Sequence, residues 1–256
     1  MPSNVISKNW LSTKPYFKWM VGFGLALVVW LTIASSANEK AWRTRASGAY
    51  SVTSDPSPAQ VEIGGKVFAI PKNYIWSRGA HKGGKMGGIN LHALLPGFAP
   101  YTNDNFNEFE KAGEQNTIGW LMRQHDILGD KYYSTKMSRE LIYERIIRDP
   151  VTGKTPSVQQ LPGPFGLTQH KLYPPKSRFD DRDLFVGSTQ DNNFYWLECK
   201  TKESAPSPSC SSYYEYSEHV VVRYNFPRKN LHQWQEIETR LISLIRQFEI
   251  NATQRK

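Results

Sequence analysis

The chain contains two cysteines, Cys199 and Cys210, which flank a polar loop with two prolines. In an oxidising compartment a pair with this spacing forms a disulfide that closes the loop. Closing so short a loop contributes about 3 kcal/mol or less to stability. A metal site is the alternative for two thiols, but the sequence has no C-x-x-C motif and no histidine beside either cysteine. We therefore predict a disulfide, and neither a metal ion nor a cofactor.

A glycine-rich basic segment runs from Ser77 to Gly88 and contains a G-x-x-x-x-G-K spacing that ends at Lys85. That spacing is part of a phosphate-binding loop, which also needs a hydroxyl for magnesium and a following helix. Here Met86 and two glycines follow instead, so the sequence does not favour a nucleotide site. The segment is then a cationic loop that is either simply solvated or binds an acidic partner or an anionic lipid head group. Its candidate partner-binding residues are Arg78, His81, Lys82 and Lys85.

Three carboxylates lie close together at Asp180, Asp181 and Asp183. Carboxylates with this spacing can hold a divalent cation. The interleaved Arg178 and Arg182 favour ion pairs with them instead.

A hydrolase site has no recognisable motif in this sequence. Neither G-x-S-x-G nor H-E-x-x-H occurs, and the six histidines are scattered. A site without a motif would require several of Asp126, His170, Asp183 and His219 to meet in one cleft. We therefore name no catalytic residue and do not expect an enzyme.

Aromatic residues form several short clusters, including Phe194–Trp196 and the group Tyr213, Tyr214 and Tyr216. Successive residues of a strand point to opposite faces, so core packing explains half of each cluster. The other half faces outward, and exposed tyrosines are common at protein interfaces. Tyr213, Tyr214 and Tyr216 therefore join the basic loop as candidate partner-binding residues.

The segment from Trp19 to Ala37 is apolar and uncharged. As a helix it rises ~28 Å, close to the thickness of the hydrocarbon core of a bilayer. Lys8, Lys14 and Lys18 precede it, as expected of a cytoplasmic flank. A cleavable signal peptide and a buried core helix are the alternatives, although an 18-residue polar lead is long for a signal peptide.

This segment divides the chain into five predicted parts. We expect a cytoplasmic N-terminus (1–18), a single-pass transmembrane anchor in the bacterial inner membrane (19–37), a linker (38–58), a periplasmic α+β domain (59–250) and a tail (251–256). The net charge of +9 for the chain leaves +6 for residues 38–256, which is modestly basic. We expect a protein partner and no nucleic acid.

The predicted periplasmic domain (59–250) is expected to form an antiparallel sheet. A hairpin is predicted at 60–63 and 66–70, because Gly64-Gly65 joins two β-prone runs. Further strands are predicted at 89–95, 117–123, 166–173, 184–187, 194–199 and 213–226, the last interrupted near Ser217. The segment 141–147 is ambiguous between strand and helix.

The last predicted element is an amphipathic helix. Apolar residues recur at spacings of three and four from Leu231 to Phe248, with Asn230 as the predicted N-cap. An amphipathic helix of this kind usually packs across one face of a sheet, so we predict the α+β fold class.

The sequence also resembles a known group of proteins. An N-terminal anchor, the segment Val67–Ile75, the late cysteine pair and the terminal L-x-x-W-x-x-I helix resemble uncharacterised bacterial envelope proteins. The same features are similar to periplasmic immunity proteins that accompany toxins delivered by type VI secretion. The resemblance implies that the outer domain occludes a periplasmic toxin, while the anchor holds it where the toxin arrives.

The sequence therefore favours a membrane-anchored protein-binding module that acts as an immunity protein. One alternative is a scaffold or assembly component of a cell-envelope machine. A second alternative is an envelope hydrolase whose site lacks a recognisable motif.

Overall fold

The structure is a computed structural model that describes residues 52–110, 116–125, 138–149, 151–173, 179–201, 203 and 205–254. All of them fall within one compact unit, Tyr50–Lys256. The predicted cytoplasmic N-terminus and anchor (1–37) lie outside the described residues, so both stay predictions. None of the helices in the described part is long and apolar enough to cross a bilayer.

The chain first forms the predicted hairpin from β1 (Pro58–Ile63) and β2 (Lys66–Pro71). Gly64 and Gly65 form the turn with φ values of 56° and 78°, a left-handed conformation that favours glycine. A Cβ on Gly64 would also lie 2.5 Å from the carbonyl oxygen of His219, so this turn packs tightly against the main sheet. The short strand β3 (Gly84–Lys85) pairs in parallel with β1 and completes a three-stranded sheet.

The second sheet has eight strands, and every pairing within it is antiparallel. Their spatial order is β4-β5-β11-β10-β9-β8-β7-β6. The strands are β4 (Gly88–Leu94), β5 (Thr117–Gln124), β6 (Ser157–Pro162), β7 (Thr168–Tyr173), β8 (Arg182–Ser188), β9 (Phe194–Lys200), β10 (Ser209–Ser217) and β11 (Val220–Pro227).

In the described part of the chain, three α-helices and three 3-10 helices connect and cover the strands. The α-helices are α1 (Phe106–Glu110), α2 (Arg139–Ile147) and α3 (Trp234–Thr253). The 3-10 helices are Lys72–Tyr74, Arg78–Lys82 and Arg228–Gln233.

Both faces of the large sheet are covered at β8 and β9, whose central residues are apolar on both sides. The main core lies on the face that packs against the hairpin and α3, and it includes Tyr195 and Leu197 of β9. Trp196 points the other way, into a second core beneath α2 that also contains Ile142 and Leu184. The predicted α+β class, with a large antiparallel sheet and a C-terminal helix, is confirmed.

Several local predictions differ from the structure. The ambiguous segment 141–147 is helical, and the single interrupted strand predicted at 213–226 is the hairpin of β10 and β11. Strand β6 was not predicted. Asn230 is not the N-cap of α3, which begins at Trp234; the Asn230 amide instead donates a hydrogen bond to Asn116 Oδ1 at 2.6 Å.

Candidate functional site

Strands β9 and β10 pair over only part of their length. Their register joins Cys199 to Cys210 and ends at Leu197 with Ser212. At that point the Ser212 hydroxyl donates to the carbonyl oxygen of Trp196 at 2.6 Å. Beyond it the two strands follow no common register.

Arg139, the first residue of α2, enters between the separated strands. Its Nε donates to the Tyr213 carbonyl of β10 at 2.6 Å, and its Nη1 makes a longer bond of 3.5 Å to the Phe194 carbonyl of β9. The indole of Trp196 donates in turn to the Arg139 carbonyl at 3.1 Å. The guanidinium therefore replaces part of the missing β ladder, since buried carbonyl groups need donors.

The guanidinium of Arg139 also reaches Glu238 of α3, which covers the other face of the sheet. Its Nη2 donates to Glu238 Oε2, which also accepts the Tyr224 hydroxyl at 2.7 Å. The Tyr224 hydroxyl lies 3.2 Å from that of Tyr195. Arg139 and Glu238 are only 8% and 4% exposed, so this is a buried ion pair set in a hydrogen-bonded network.

Burial and charge together fix the protonation of this network. Burial lowers the pKa of Arg139, but the charge of Glu238, its hydrogen bond and the neighbouring Tyr224 and Tyr195 together raise the pKa above its usual value. Burial also raises the pKa of Tyr195 and Tyr224, and the negative charge of Glu238 adds to the effect on both. Arg139 is therefore charged, and both tyrosines are neutral hydrogen-bond donors.

A cleft of about 670 Å³ lies above this buried pair. Its walls come from the start of α2, the turn between β8 and β9, the middle of β10 and the central part of α3. We call it the Arg139 cleft and define it by the residues that line it: Ser138, Arg139, Glu140, Thr189, Gln190, Asp191, Asn193, Phe194, Tyr214, Glu215, Glu238, Thr239, Ile242, Ser243 and Arg246. No motif in the sequence indicates this cleft, and of the candidate partner-binding residues only Tyr214 lines it.

The predicted tyrosine cluster is divided between the two faces of the sheet. Tyr213 stacks on Trp196 in the second core, with Arg223 over its ring at 5.5 Å. Tyr214 packs against the main core beneath the guanidinium of Arg139, which lies 5.2 Å from its ring centre. The Tyr216 hydroxyl donates to Glu249 of α3. The three tyrosines thus do not form one surface, and their role in partner binding stays a prediction.

The basic loop has a regular backbone. Arg78, His81 and Lys82 lie on a 3-10 helix, and Lys85 lies on β3. The Lys85 ammonium pairs with Glu62 at 3.3 Å, although 76% of its side chain is exposed, while His81 Nε2 lies 3.3 Å from the Ile75 carbonyl. Arg78 and Lys82 are exposed, so the loop presents a cationic surface.

An aromatic stack lies beside this loop. Trp76, 40% exposed, stacks on His92 with ring centres 5.2 Å apart, and His92 contacts Phe109 on its other side at 4.9 Å. His92 is buried, and burial lowers its pKa to about 4. A neutral imidazole therefore sits between an exposed and a buried aromatic ring.

The residues considered for a hydrolase do not converge in the described part of the chain. His170 and Asp183 border a small pocket of about 210 Å³, but the Tyr143 hydroxyl lies 2.6 Å from His170 Nδ1. The Asp183 carboxylate forms an ion pair with Arg228 and accepts a hydrogen bond from the Gln169 amide. His219 lies in the turn between β10 and β11 and does not line this pocket. Asp126 lies outside the described residues.

Two carboxylates of the acidic cluster form ion pairs, one of them with an interleaved arginine as predicted, while Arg178 lies outside the described residues. Arg182 lies 3.5 Å from Asp181 and 3.2 Å from the buried Glu198. Arg228, which sequence analysis did not name, pairs with Asp183. Within the ranges that the structure describes, no three His, Cys, Asp or Glu residues are placed to hold a metal ion.

The predicted disulfide is confirmed. Cys199 and Cys210 are fully buried, face each other across β9 and β10, and are bonded. The bridge joins the two strands at the end where they still pair.

Comparisons with known proteins add a fold relationship. No protein-family model matches the chain, and no curated protein matches its sequence. A solved structure of an immunity protein of the Stenotrophomonas maltophilia type IV secretion system is similar, with a TM-score of 0.55 and 15% sequence identity. The match covers 75% of this chain and 93% of that protein. The chain therefore shares its fold with a secretion-system immunity protein.

Proposed function

We propose that this protein is an immunity protein that binds a toxin delivered by a bacterial secretion system and neutralises it. The observation that carries the proposal is the fold shared with almost the whole length of an immunity protein from Stenotrophomonas maltophilia. The sequence resemblance to periplasmic immunity proteins supports it independently. That resemblance is to proteins paired with type VI secretion, whereas the structural neighbour belongs to a type IV system. The proposal therefore specifies a secreted toxin and not its delivery machine.

The proposed site of action is the periplasmic side of the inner membrane. The disulfide supports this location, because structural disulfides form and persist in oxidising compartments. The uncharged segment 19–37 would hold the folded unit at the membrane surface and raise its local concentration where a toxin enters.

Toxin binding is proposed to begin at the basic loop. Arg78 and Lys82 are exposed on a 3-10 helix beside the exposed ring of Trp76. Cationic side chains of this kind steer an acidic partner and accelerate its association, and an exposed tryptophan supplies apolar contact area. The proposed partner therefore carries an acidic surface patch.

The test starts from the full-length chain, tagged at its C-terminus and purified with detergent from the membranes of its own host. A stoichiometric partner identified by mass spectrometry is then expressed with a periplasmic signal in a sensitive bacterium. We expect growth arrest that co-expression of the full-length chain relieves. Recovery of a set of envelope-machine subunits, or a partner whose toxicity the chain does not relieve, would contradict the proposal.

A matched pair of variants locates the binding surface. Charge reversal at Arg78 and Lys82 is expected to slow association and weaken protection. The same reversal at Lys154 and Lys171, two exposed lysines elsewhere on the domain, is the control and should leave protection unchanged. Equal effects of both pairs would assign the result to net charge and not to the loop.

A further inference from the structure

The Arg139 cleft differs in charge from the rest of the molecule. The chain carries a net charge of +9, but the charged residues that line the cleft are mostly acidic. They are Glu140, Asp191, Glu215 and Glu238 against Arg139 and Arg246. An anion that entered would meet an excess of carboxylates, whereas a cation would be attracted.

The floor of the cleft offers a buried hydrogen-bond acceptor. Glu238 is 4% exposed, and its Oε2 accepts from both Arg139 and Tyr224. Among the residues that the structure describes, no donor reaches its Oε1. Because Glu238 lines the cleft, Oε1 is the oxygen left for a group that enters from outside.

The walls suit a long side chain that ends in a positive charge. Phe194 and Tyr214 provide apolar surface above the floor, and the exposed carboxylates of Glu140 and Asp191 lie at the rim. The volume of about 670 Å³ is in the range of small-ligand pockets and admits one arginine or lysine side chain with room for its backbone. Aliphatic stems pack on aromatic surface while their charged heads seek carboxylates.

We propose that the Arg139 cleft binds an arginine or lysine side chain of a protein partner, with Glu238 Oε1 as the deep acceptor. The cleft is thus a second contact, opposite in charge to the basic loop, and it sets which partner segment fits. The identity of that partner as a toxin rests on the proposed function. Binding of a cationic side chain by the cleft does not rest on the proposed function.

The test uses three capped tripeptides, Gly-Arg-Gly, Gly-Lys-Gly and Gly-Glu-Gly, titrated into the full-length protein in detergent micelles. Backbone amide resonances of Thr189, Asn193 and Thr239 report on the cleft. We expect saturable shifts with the two cationic peptides, with dissociation constants on the order of millimolar. The acidic peptide should leave these resonances unchanged.

Variants decide whether the carboxylates cause the binding. Combined Glu140→Gln and Asp191→Asn alters only exposed rim residues and should weaken the cationic peptides about tenfold. Glu144→Gln, exposed on the same helix, is the matched control and should bind like the wild type. Glu238→Gln should weaken binding further; because it also alters the buried ion pair, it is read only after its folding has been checked by circular dichroism.

Three results would overturn the proposal: no saturable shift with either cationic peptide, equal shifts with the acidic peptide, or rim variants that bind like the wild type. None of these three results bears on the proposed neutralising function, which the growth assay tests separately. Conversely, cationic peptides that bind a protein without protective activity would leave the cleft proposal standing alone.

Discussion

The buried pair of Arg139 and Glu238 should be a principal determinant of the stability of the folded unit. Arg139→Met keeps most of the aliphatic stem but removes the positive charge and three hydrogen bonds, to Glu238, the Tyr213 carbonyl and the Phe194 carbonyl. Glu238 would then be an uncompensated charge that is 4% exposed and retains only the hydrogen bond from Tyr224. Breaking one side of such a pair costs roughly 3–5 kcal/mol.

A loss of this size is a large share of the stability of one domain, which is typically about 5–15 kcal/mol. For a domain of this length it corresponds to a fall in melting temperature of roughly 10 °C. The assay is urea unfolding of the full-length protein with its disulfide intact, followed by tryptophan fluorescence. Arg240→Met, which removes an exposed pair with Glu236, is the control and should cost at most about 1 kcal/mol.

A double mutant separates the ion pair from simple packing. When Arg139→Met is combined with Glu238→Met, neither charge of the pair remains, although the Tyr213 and Phe194 carbonyls lose a donor and the Tyr224 hydroxyl loses its carboxylate acceptor. We expect the double variant to be less destabilised than the sum of the single variants by several kcal/mol. Additive single effects, or a loss below about 1 kcal/mol for Arg139→Met, would refute the reasoning.

Three further predictions follow from other parts of the structure. Reduction of the disulfide, or Cys199→Ser with Cys210→Ser, should lower the free energy of unfolding by about 3 kcal/mol, measured by urea unfolding with and without reductant. Because burial lowers the pKa of His92 to about 4, the unfolded state binds its proton first as the pH falls. His92 should therefore contribute stability that is fully present above pH 6.5 and lost as the pH falls towards 4, by about 3 kcal/mol, and His92→Phe should flatten that dependence in unfolding titrations. An unchanged slope in that variant would rule out His92 as the cause. Charge reversal at Arg78 and Lys82 should make association with the partner less sensitive to salt as well as slower, measured by surface plasmon resonance at two ionic strengths.

Sequence reasoning succeeded where a local pattern determines the structure. Gly64-Gly65 predicted its hairpin, because few other residue pairs adopt two successive positive φ values. The apolar spacing from Leu231 to Phe248 predicted α3, since that spacing places those residues on one buried face. The cysteine pair predicted its own disulfide.

Prediction from the sequence failed where contacts between residues distant in the chain outweigh the local secondary-structure preference. Strand β6 has the sequence SVQQLP, whose glutamines give no clear alternation, and it is a strand because it pairs along its whole length with β7. Asn230 is a good N-cap by type, but its hydrogen bond to Asn116 holds it in a 3-10 helix before α3. The Arg139 cleft could not be predicted at all, because its central pair joins residues 99 positions apart in the sequence.

The cleft exists because the β ladder between β9 and β10 is broken at a defined place. The disulfide joins Cys199 to Cys210 on the paired side of the break, while Arg139 supplies donors to both strands on the open side. A regular ladder would have satisfied the same carbonyls without a guanidinium and would have left no opening towards α3. The charged residues at the break therefore do not make the sheet more stable than an unbroken sheet would be. They satisfy buried carbonyl groups that the opening would otherwise leave without hydrogen-bond donors. The binding role proposed for the Arg139 cleft would account for a buried arginine and a buried glutamate at this break.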